Sequence, residues 1–124
     1  GYNYRMPNIN ASLLVAQLEN LDKVLINKRH LAKIYEDYFE QTDFDFVKEP
    51  INCESNYWLN AIILKDRRER DKLLLETNQM GVMTRPIWML MNKLPMYKDA
   101  QCGDLVNSCW LEDRVVNLPS SVKL

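Results

Sequence analysis

The sequence has 124 residues, 47% of them apolar and 27% charged, with a net charge of −1. These values describe one globular domain with a modest core and exclude a disordered or low-complexity chain. The charge balance gives no bulk pull toward nucleic acid or an anionic membrane, no apolar run is long enough for a membrane helix, and no signal peptide is recognisable.

Residues 9–41 contain no glycine or proline and predict one long amphipathic helix. Leu14, Leu18, Leu21, Leu25, Ala32, Tyr35 and Phe39 recur at helical steps, and Leu13, Val24, Leu31, Ile34 and Tyr38 widen the stripe. Glu19, Asp22, Lys23, Lys28, Arg29, Lys33, Glu36 and Asp37 form the opposite, solvated face. Pro7 stands just outside the start, where Asn8 or Asn10 would cap the first turn. At 1.5 Å per residue such a helix runs roughly 45 Å and overhangs a small domain.

Residues 42–56 read as a loop, with Phe44 and Phe46 as a short strand. Residues 57–64 are apolar nearly throughout and predict a strand covered on both faces. Asp66, with Glu69 three residues on, opens a second helix in a capping box; Leu73, Leu74 and Met80 give its buried side and Gly81 its end. A short strand is expected at 82–85, then an irregular apolar stretch at 87–97, which packs under something or lines a site. Asp104 caps a third helix through Asp113, buried by Leu105, Val106, Cys109 and Trp110, and residues 115–118 form the last strand. The predicted fold class is α+β: a long N-terminal helix beside a sheet of about three strands with two helices on it, strand direction left open.

Chemistry is sparse. The one histidine, His30, falls among Lys28, Arg29 and Lys33 and is read as a surface side chain. Metal-ligand spacing, a phosphate-cradling glycine loop and a nucleophile elbow are all absent from the sequence. Cys53, Cys102 and Cys109 form no C-x-x-C pair and predict reduced thiols in a cytoplasmic protein. Residues 65–70 alternate bases with acids, a solvated helix start rather than a nucleic-acid face. Two stretches stand apart. Residues 1–7 set Tyr2, Asn3, Tyr4 and Arg5 in front of a helix N-terminus, which is either a polar linker or an anion-gripping arm. In Thr84-Arg85-Pro86-Ile87-Trp88 an arginine and a tryptophan flank a rigid proline, with core packing of Trp88 the alternative to a site.

Gly1-Tyr2-Asn3-Tyr4-Arg5-Met6-Pro7-Asn8-Ile9-Asn10-Ala11, followed by Ala16-Gln17-Leu18, resembles the stretch after the cofactor lysine in pyridoxal-phosphate-dependent sugar aminotransferases of the DegT/StrS family. Thr84-Arg85-Pro86-Ile87-Trp88 and Leu118-Pro119-Ser120-Ser121 are similar to two further landmarks of that family, in the same order. The resemblance implies the C-terminal small domain of a fold-type I transaminase, normally a homodimer, that moves an amino group from glutamate to a nucleotide-linked 4-keto-6-deoxy sugar for surface glycans. It implies a lead-in arm at 1–8, the long helix at 9–41 and a sheet-and-helix layer at 42–124. By the same resemblance Asn3 reaches the cofactor phosphate of the other subunit, and Tyr4, Arg5, Arg85, Trp88 and Asn92 fall to the substrate side. The family often carries a histidine where Asn92 stands; an asparagine can hydrogen-bond a sugar but carries no proton near neutral pH. The Schiff-base lysine and the acidic partner of the pyridine nitrogen would lie upstream of Gly1, in a large domain of the same polypeptide. The chain opens on Gly1 and stops just after a strand and turn, so the expectation is a piece of a longer protein, inactive alone. The alternative is a stand-alone interaction module that uses the helix stripe as its binding face.

Overall fold

The computed structural model describes residues 4–122. Four strands, β1 (Asp45–Phe46), β2 (Asn60–Ile63), β3 (Arg85–Pro86) and β4 (Val115–Leu118), form an antiparallel sheet in the order β1-β2-β4-β3. This is one strand more than the three expected. The central pair carries the longest ladder, with Asn60 opposite Leu118 and Ile63 opposite Val115. Ile62 and Val116 face each other across it and are 1% and 0% exposed. Leu64 and Leu118 complete the buried cluster, and Tyr35, Phe39, Phe44, Phe46, Leu73 and Leu74 pack against it. Both packing helices therefore serve one face of the sheet, while Ala61 and Ile63 on the other are only half-buried. The apolar run at 57–64 belongs to a half-covered antiparallel strand of four residues and not to a longer strand covered on both faces.

The long helix is two helices, α1 (Asn8–Leu18) and α2 (Leu21–Phe39). The break has a local cause. The Asn20 side-chain amide donates to the Ala16 carbonyl at 2.9 Å, and the Asn20 backbone N–H turns to the Gln17 carbonyl, tightening the last turn. Neither Asn8 nor Asn10 caps α1; its N-cap is Pro7, without a side-chain bond. The apolar stripe is buried only along α2, where Ala32 is enclosed; α1 buries no residue.

The second predicted helix is α3 (Arg67–Gln79), and its capping box is present: Asp66 accepts from the Glu69 N–H at 2.9 Å, and Glu69 reaches back to the Lys65 N–H. Gly81 takes the left-handed conformation, at φ +80°. Met80, expected on the buried side, is 79% exposed. Arg70, expected in a solvated stretch, is buried because its guanidinium binds Asp71 and the Glu112 carbonyl. The short strand falls at Arg85–Pro86 instead of 82–85. The last helix, α4 (Val106–Glu112), is shorter than predicted, with Val106 and Trp110 exposed; Asp104 still accepts the Val106 N–H at 2.9 Å.

Candidate functional site

Pairing of β3 with β4 sets the second and third sequence landmarks side by side: Arg85 lies opposite Asn117, one residue short of the Leu118-Pro119-Ser120-Ser121 turn. Side chains from α2 tie that turn down. Tyr35 donates to the Pro119 carbonyl at 2.9 Å, and Lys28 donates to the carbonyls of Ser120 and Trp58. Ser120 Oγ in turn accepts the backbone and side-chain N–H groups of Asn60, which is buried.

The same clamp positions an aromatic pair. Tyr57 has a positive φ of 44°, uncommon for a bulky residue, immediately before Trp58 and ahead of β2. The Trp58 N–H is taken by Asn56 Oδ1 at 2.9 Å, and its ring stacks on Trp88 with centroids 6.1 Å apart. Both indoles remain nearly two-thirds exposed, so Trp88 packs against a partner without entering the core. Trp58 was absent from the sequence-derived site because the apolar run hid it inside a strand. The Asn56-Tyr57-Trp58 Asx turn was the available signal. Arg85 projects to the surface, where its guanidinium meets Met83 Sδ at 3.3 Å.

Asn92 lies apart from this pair. It sits in a short 3-10 turn, Met91–Lys93, anchored by Glu112, which accepts the Leu90 N–H at 3.0 Å and pairs with Lys93 Nζ. The turn walls a cavity of about 380 Å³ lined chiefly by apolar groups, among them Leu90, Met91 and Leu105, with Tyr97 and Cys102 also at its wall. Asn92 Oδ1 is buried with no hydrogen-bond partner. Tyr4 and Arg5 are exposed ahead of α1. Asn3, the predicted phosphate contact, lies outside the described residues. Thus the structure joins Trp88 to Trp58, sets Arg85 on the neighbouring strand, and gives Asn92 its own cavity.

Four of the described lysines, Lys28, Lys33, Lys48 and Lys93, serve as charged anchors. Asp37 and then Glu36 raise the pKa of Lys33, Glu36 and then Glu40 raise that of Lys48, and Glu112 raises that of Lys93. An imine-forming lysine needs the reverse, a depressed pKa. Lys28 spends its ammonium on two carbonyls. These four lysines do not fit the covalent anchor of pyridoxal phosphate. The start of α1 suits a phosphate better: its N-cap, Pro7, supplies no side-chain cap bond, and Arg5 stands three residues ahead of Asn8. His30 is exposed, and Cys53, Cys102 and Cys109 are free thiols.

A short antiparallel sheet with helices on one face and a helical arm ahead of it is a fold shared with sugar-modifying enzymes that use pyridoxal phosphate. The chain superposes with a TM-score of 0.79 and 21% identity on a sugar aminotransferase from Micromonospora echinospora, covering 97% of this chain and 32% of that one. It superposes equally well, at 0.78 and 21% identity, on the E. coli GDP-4-keto-6-deoxy-D-mannose-3-dehydratase with bound hydrated PLP, again covering 97% and 32%. Residues 1–124 match the DegT/DnrJ/EryC1/StrS aminotransferase family, and the chain belongs to that family. Among curated relatives it is 36% identical over 124 residues to GDP-perosamine synthase of Vibrio cholerae, covering 96% of this chain and 33% of that protein. The chain therefore spans about a third of the length of the relatives it matches. Among the described residues no helix is long and apolar enough to cross a membrane.

Proposed function

We propose that this chain is the small domain of a pyridoxal-phosphate-dependent aminotransferase that moves an amino group from glutamate to a GDP-linked 4-keto-6-deoxy sugar. The reading rests on one observation above all: identity to GDP-perosamine synthase along nearly the whole chain. The relatives' name supplies GDP as the nucleotide and an amino sugar as the product. Residues 1–8 are the arm toward the cofactor, residues 9–41 the helical span, and residues 42–124 the layer that closes over substrate. Its partners are a large domain of the same polypeptide, which carries the lysine, and a second subunit in a cytoplasmic homodimer. The exposed leucines of α1 suit such a contact.

When bound, pyridoxal phosphate supplies the electron sink that lets an amino group pass between glutamate and a keto-sugar. In this chain Asn3 and the α1 N-terminus hold phosphate, while Tyr4, Arg5, Arg85, Trp88 and Asn92 contact substrate. Arg85 offers the forked donor that suits a diphosphate or carboxylate, and Trp88 offers a flat face. The dehydratase with the same fold shows why fold alone does not name the reaction.

The deciding experiment incubates the full-length polypeptide with pyridoxal phosphate, glutamate and GDP-4-keto-6-deoxymannose. Mass spectrometry is expected to find the amino sugar and 2-oxoglutarate in equal amounts; deoxygenated product without amine would overturn the proposal. The chain by itself is expected to be inactive, and borohydride treatment with pyridoxal phosphate should trap no stable adduct at a single lysine.

A further inference from the structure

All six methionines of the chain are more than half exposed, and five of them fall within residues 80–96. Methionine is ordinarily among the more buried residues, so a surface of thioethers departs from its usual core role. Met83 differs from the other four in what it touches. The Arg85 guanidinium donates to Met83 Sδ at 3.3 Å, and among the described residues no other hydrogen bond or ion pair holds that guanidinium. Arg29, Arg67 and Arg70 are each paired with a carboxylate instead. The backbone between the two side chains is fixed. Thr84 is buried, its hydroxyl meets Thr77 Oγ1 at 2.6 Å, and its carbonyl accepts the Asn78 side-chain amide at 3.1 Å. With Thr84 turned inward, Met83 and Arg85 on either side of it are both exposed.

A thioether is a weak acceptor, so the guanidinium resting on it is easily drawn away by a better one. One added oxygen reverses that. A sulfoxide turns the same side chain polar, and a charge-assisted N–H···O bond is shorter and stronger than a contact to sulfur. We propose that Met83 is a site of reversible oxidation by peroxide, and that its sulfoxide captures Arg85. Sulfur carries two lone pairs, so the Arg85 contact leaves one for the oxidant. That pair attacks one peroxide oxygen; the S–O bond forms as the O–O bond breaks, and sulfur gives up two electrons. The departing hydroxide takes the proton left on the transferred oxygen and leaves as water. Negative charge gathers on the departing oxygen, and the neighbouring guanidinium stabilises it. A methionine sulfoxide reductase carries the reverse step, in which a dithiol closes to a disulfide and the oxygen leaves as water. The consequence for activity rests on the aminotransferase reading, in which Arg85 contacts substrate. A guanidinium bound to the sulfoxide is withheld from substrate, so oxidation weakens binding and leaves the transfer step alone.

The test treats the full-length polypeptide, loaded with pyridoxal phosphate, with dilute hydrogen peroxide and then with dithiothreitol. The dithiol restores disulfides and sulfenic acids at Cys53, Cys102 and Cys109 but leaves methionine sulfoxide in place. Peptide mass spectrometry is expected to find sulfoxide at Met83 at least as early as at the more exposed Met80. Phenylglyoxal labelling of Arg85 should then slow roughly 3- to 10-fold, with the exposed Arg68 as internal reference. With GDP-4-keto-6-deoxymannose, KM should rise by a similar factor at unchanged kcat, and methionine sulfoxide reductase should restore both signals. Met83→Leu should keep the starting KM and respond to peroxide in neither signal. Met83→Gln, which offers an amide oxygen in place of the sulfoxide, should label slowly at Arg85 without any peroxide, and Met80→Leu should behave as the unaltered enzyme. Three results would each overturn the proposal: Met83 left unoxidised while Met80 and Met96 are converted, Arg85 labelling unchanged by oxidation, or Met83→Leu as sensitive to peroxide as the unaltered enzyme. A polypeptide that transfers no amine in either state, yet protects Arg85 when oxidised, would support the modification and sink the aminotransferase reading.

Discussion

Glu112 is the side chain on which the Asn92 turn depends, and Glu112→Ala is the perturbation that measures it. The Glu112 side chain is 11% exposed; Oε1 accepts the Leu90 N–H at 3.0 Å, and Oε2 pairs with Lys93 Nζ. Truncation leaves the partly buried Leu90 N–H without its acceptor, which costs about 1–3 kcal/mol. The ion pair adds less, because the Lys93 side chain is 43% exposed and solvent screens it. Glu112→Gln separates the two contributions: it keeps an oxygen for Leu90 and discards only the charge, so its cost should be the smaller. In urea, at a slope of about 1–3 kcal/mol per molar, Glu112→Ala should lower the midpoint by about 1 M and Glu112→Gln by a fraction of that. Hydrogen exchange at Leu90 should quicken in the alanine variant and hold in the glutamine one. Equal losses in both variants, or exchange at Leu90 untouched by alanine, would show that the carboxylate does not anchor this turn.

Ile62→Ala empties the centre of the sheet, where Ile62 is 1% exposed, and should cost about 2–5 kcal/mol in urea unfolding; a loss below 1 would mean that the core collapses freely around it. Ser120→Ala removes the acceptor for both N–H groups of the buried Asn60 and should cost about 1–3 kcal/mol, read by unfolding and by faster exchange at the Asn60 amide. Acid should destabilise the chain. The Glu36 carboxyl is held low chiefly by Lys48, that of Glu49 chiefly by the Ser55 N–H, and that of Glu112 chiefly by Lys93. A depressed folded pKa gives stability that is whole above the unfolded carboxylate range and disappears as pH falls through the folded values. Thermal midpoints should therefore hold above about pH 5 and drop below about pH 4; a flat profile down to pH 3 would refute the linkage, and Glu49→Gln should flatten part of the slope.

The elements most legible in the sequence were those fixed by near neighbours. The Asp66 and Glu69 capping box and the left-handed Gly81 bracket α3 at both ends, and each is a bond or torsion spanning a few residues. The helix at 9–41 failed for the opposite reason. Periodicity reports an apolar stripe but not what covers it, and a single asparagine carboxamide at position 20 divided it without glycine or proline. The edge strand β3 was expected at 82–85 and falls at Arg85–Pro86, because two residues of edge pairing leave hardly any pattern to fix its bounds. Arg70 was misjudged because its burial depends on the Glu112 carbonyl, 42 positions away.

The candidate site was legible only in its motifs, and the geometry explains the limit. Thr84-Arg85-Pro86-Ile87-Trp88 and Leu118-Pro119-Ser120-Ser121 are contiguous strings, so resemblance finds them; their adjacency comes from the β3–β4 register, which no local pattern encodes. The residues that hold the Leu118–Ser121 turn and the Asn92 turn in place, Lys28 and Asn60 for the first and Glu112 for the second, look like two surface charges and a strand polar residue in the sequence. Their work is done on backbone groups far along the chain: Ser120 and Trp58 for Lys28, Leu90 for Glu112. Asn92 is the reverse case. Its position was marked by resemblance as a departure from a histidine, yet what makes it chemically notable is an acceptor buried without a partner beside a cavity whose lining carries no charge. A histidine there could exchange a proton; an asparagine presents a fixed neutral carbonyl. With an amide at 92, the position can accept or donate a hydrogen bond but cannot exchange a proton near neutral pH.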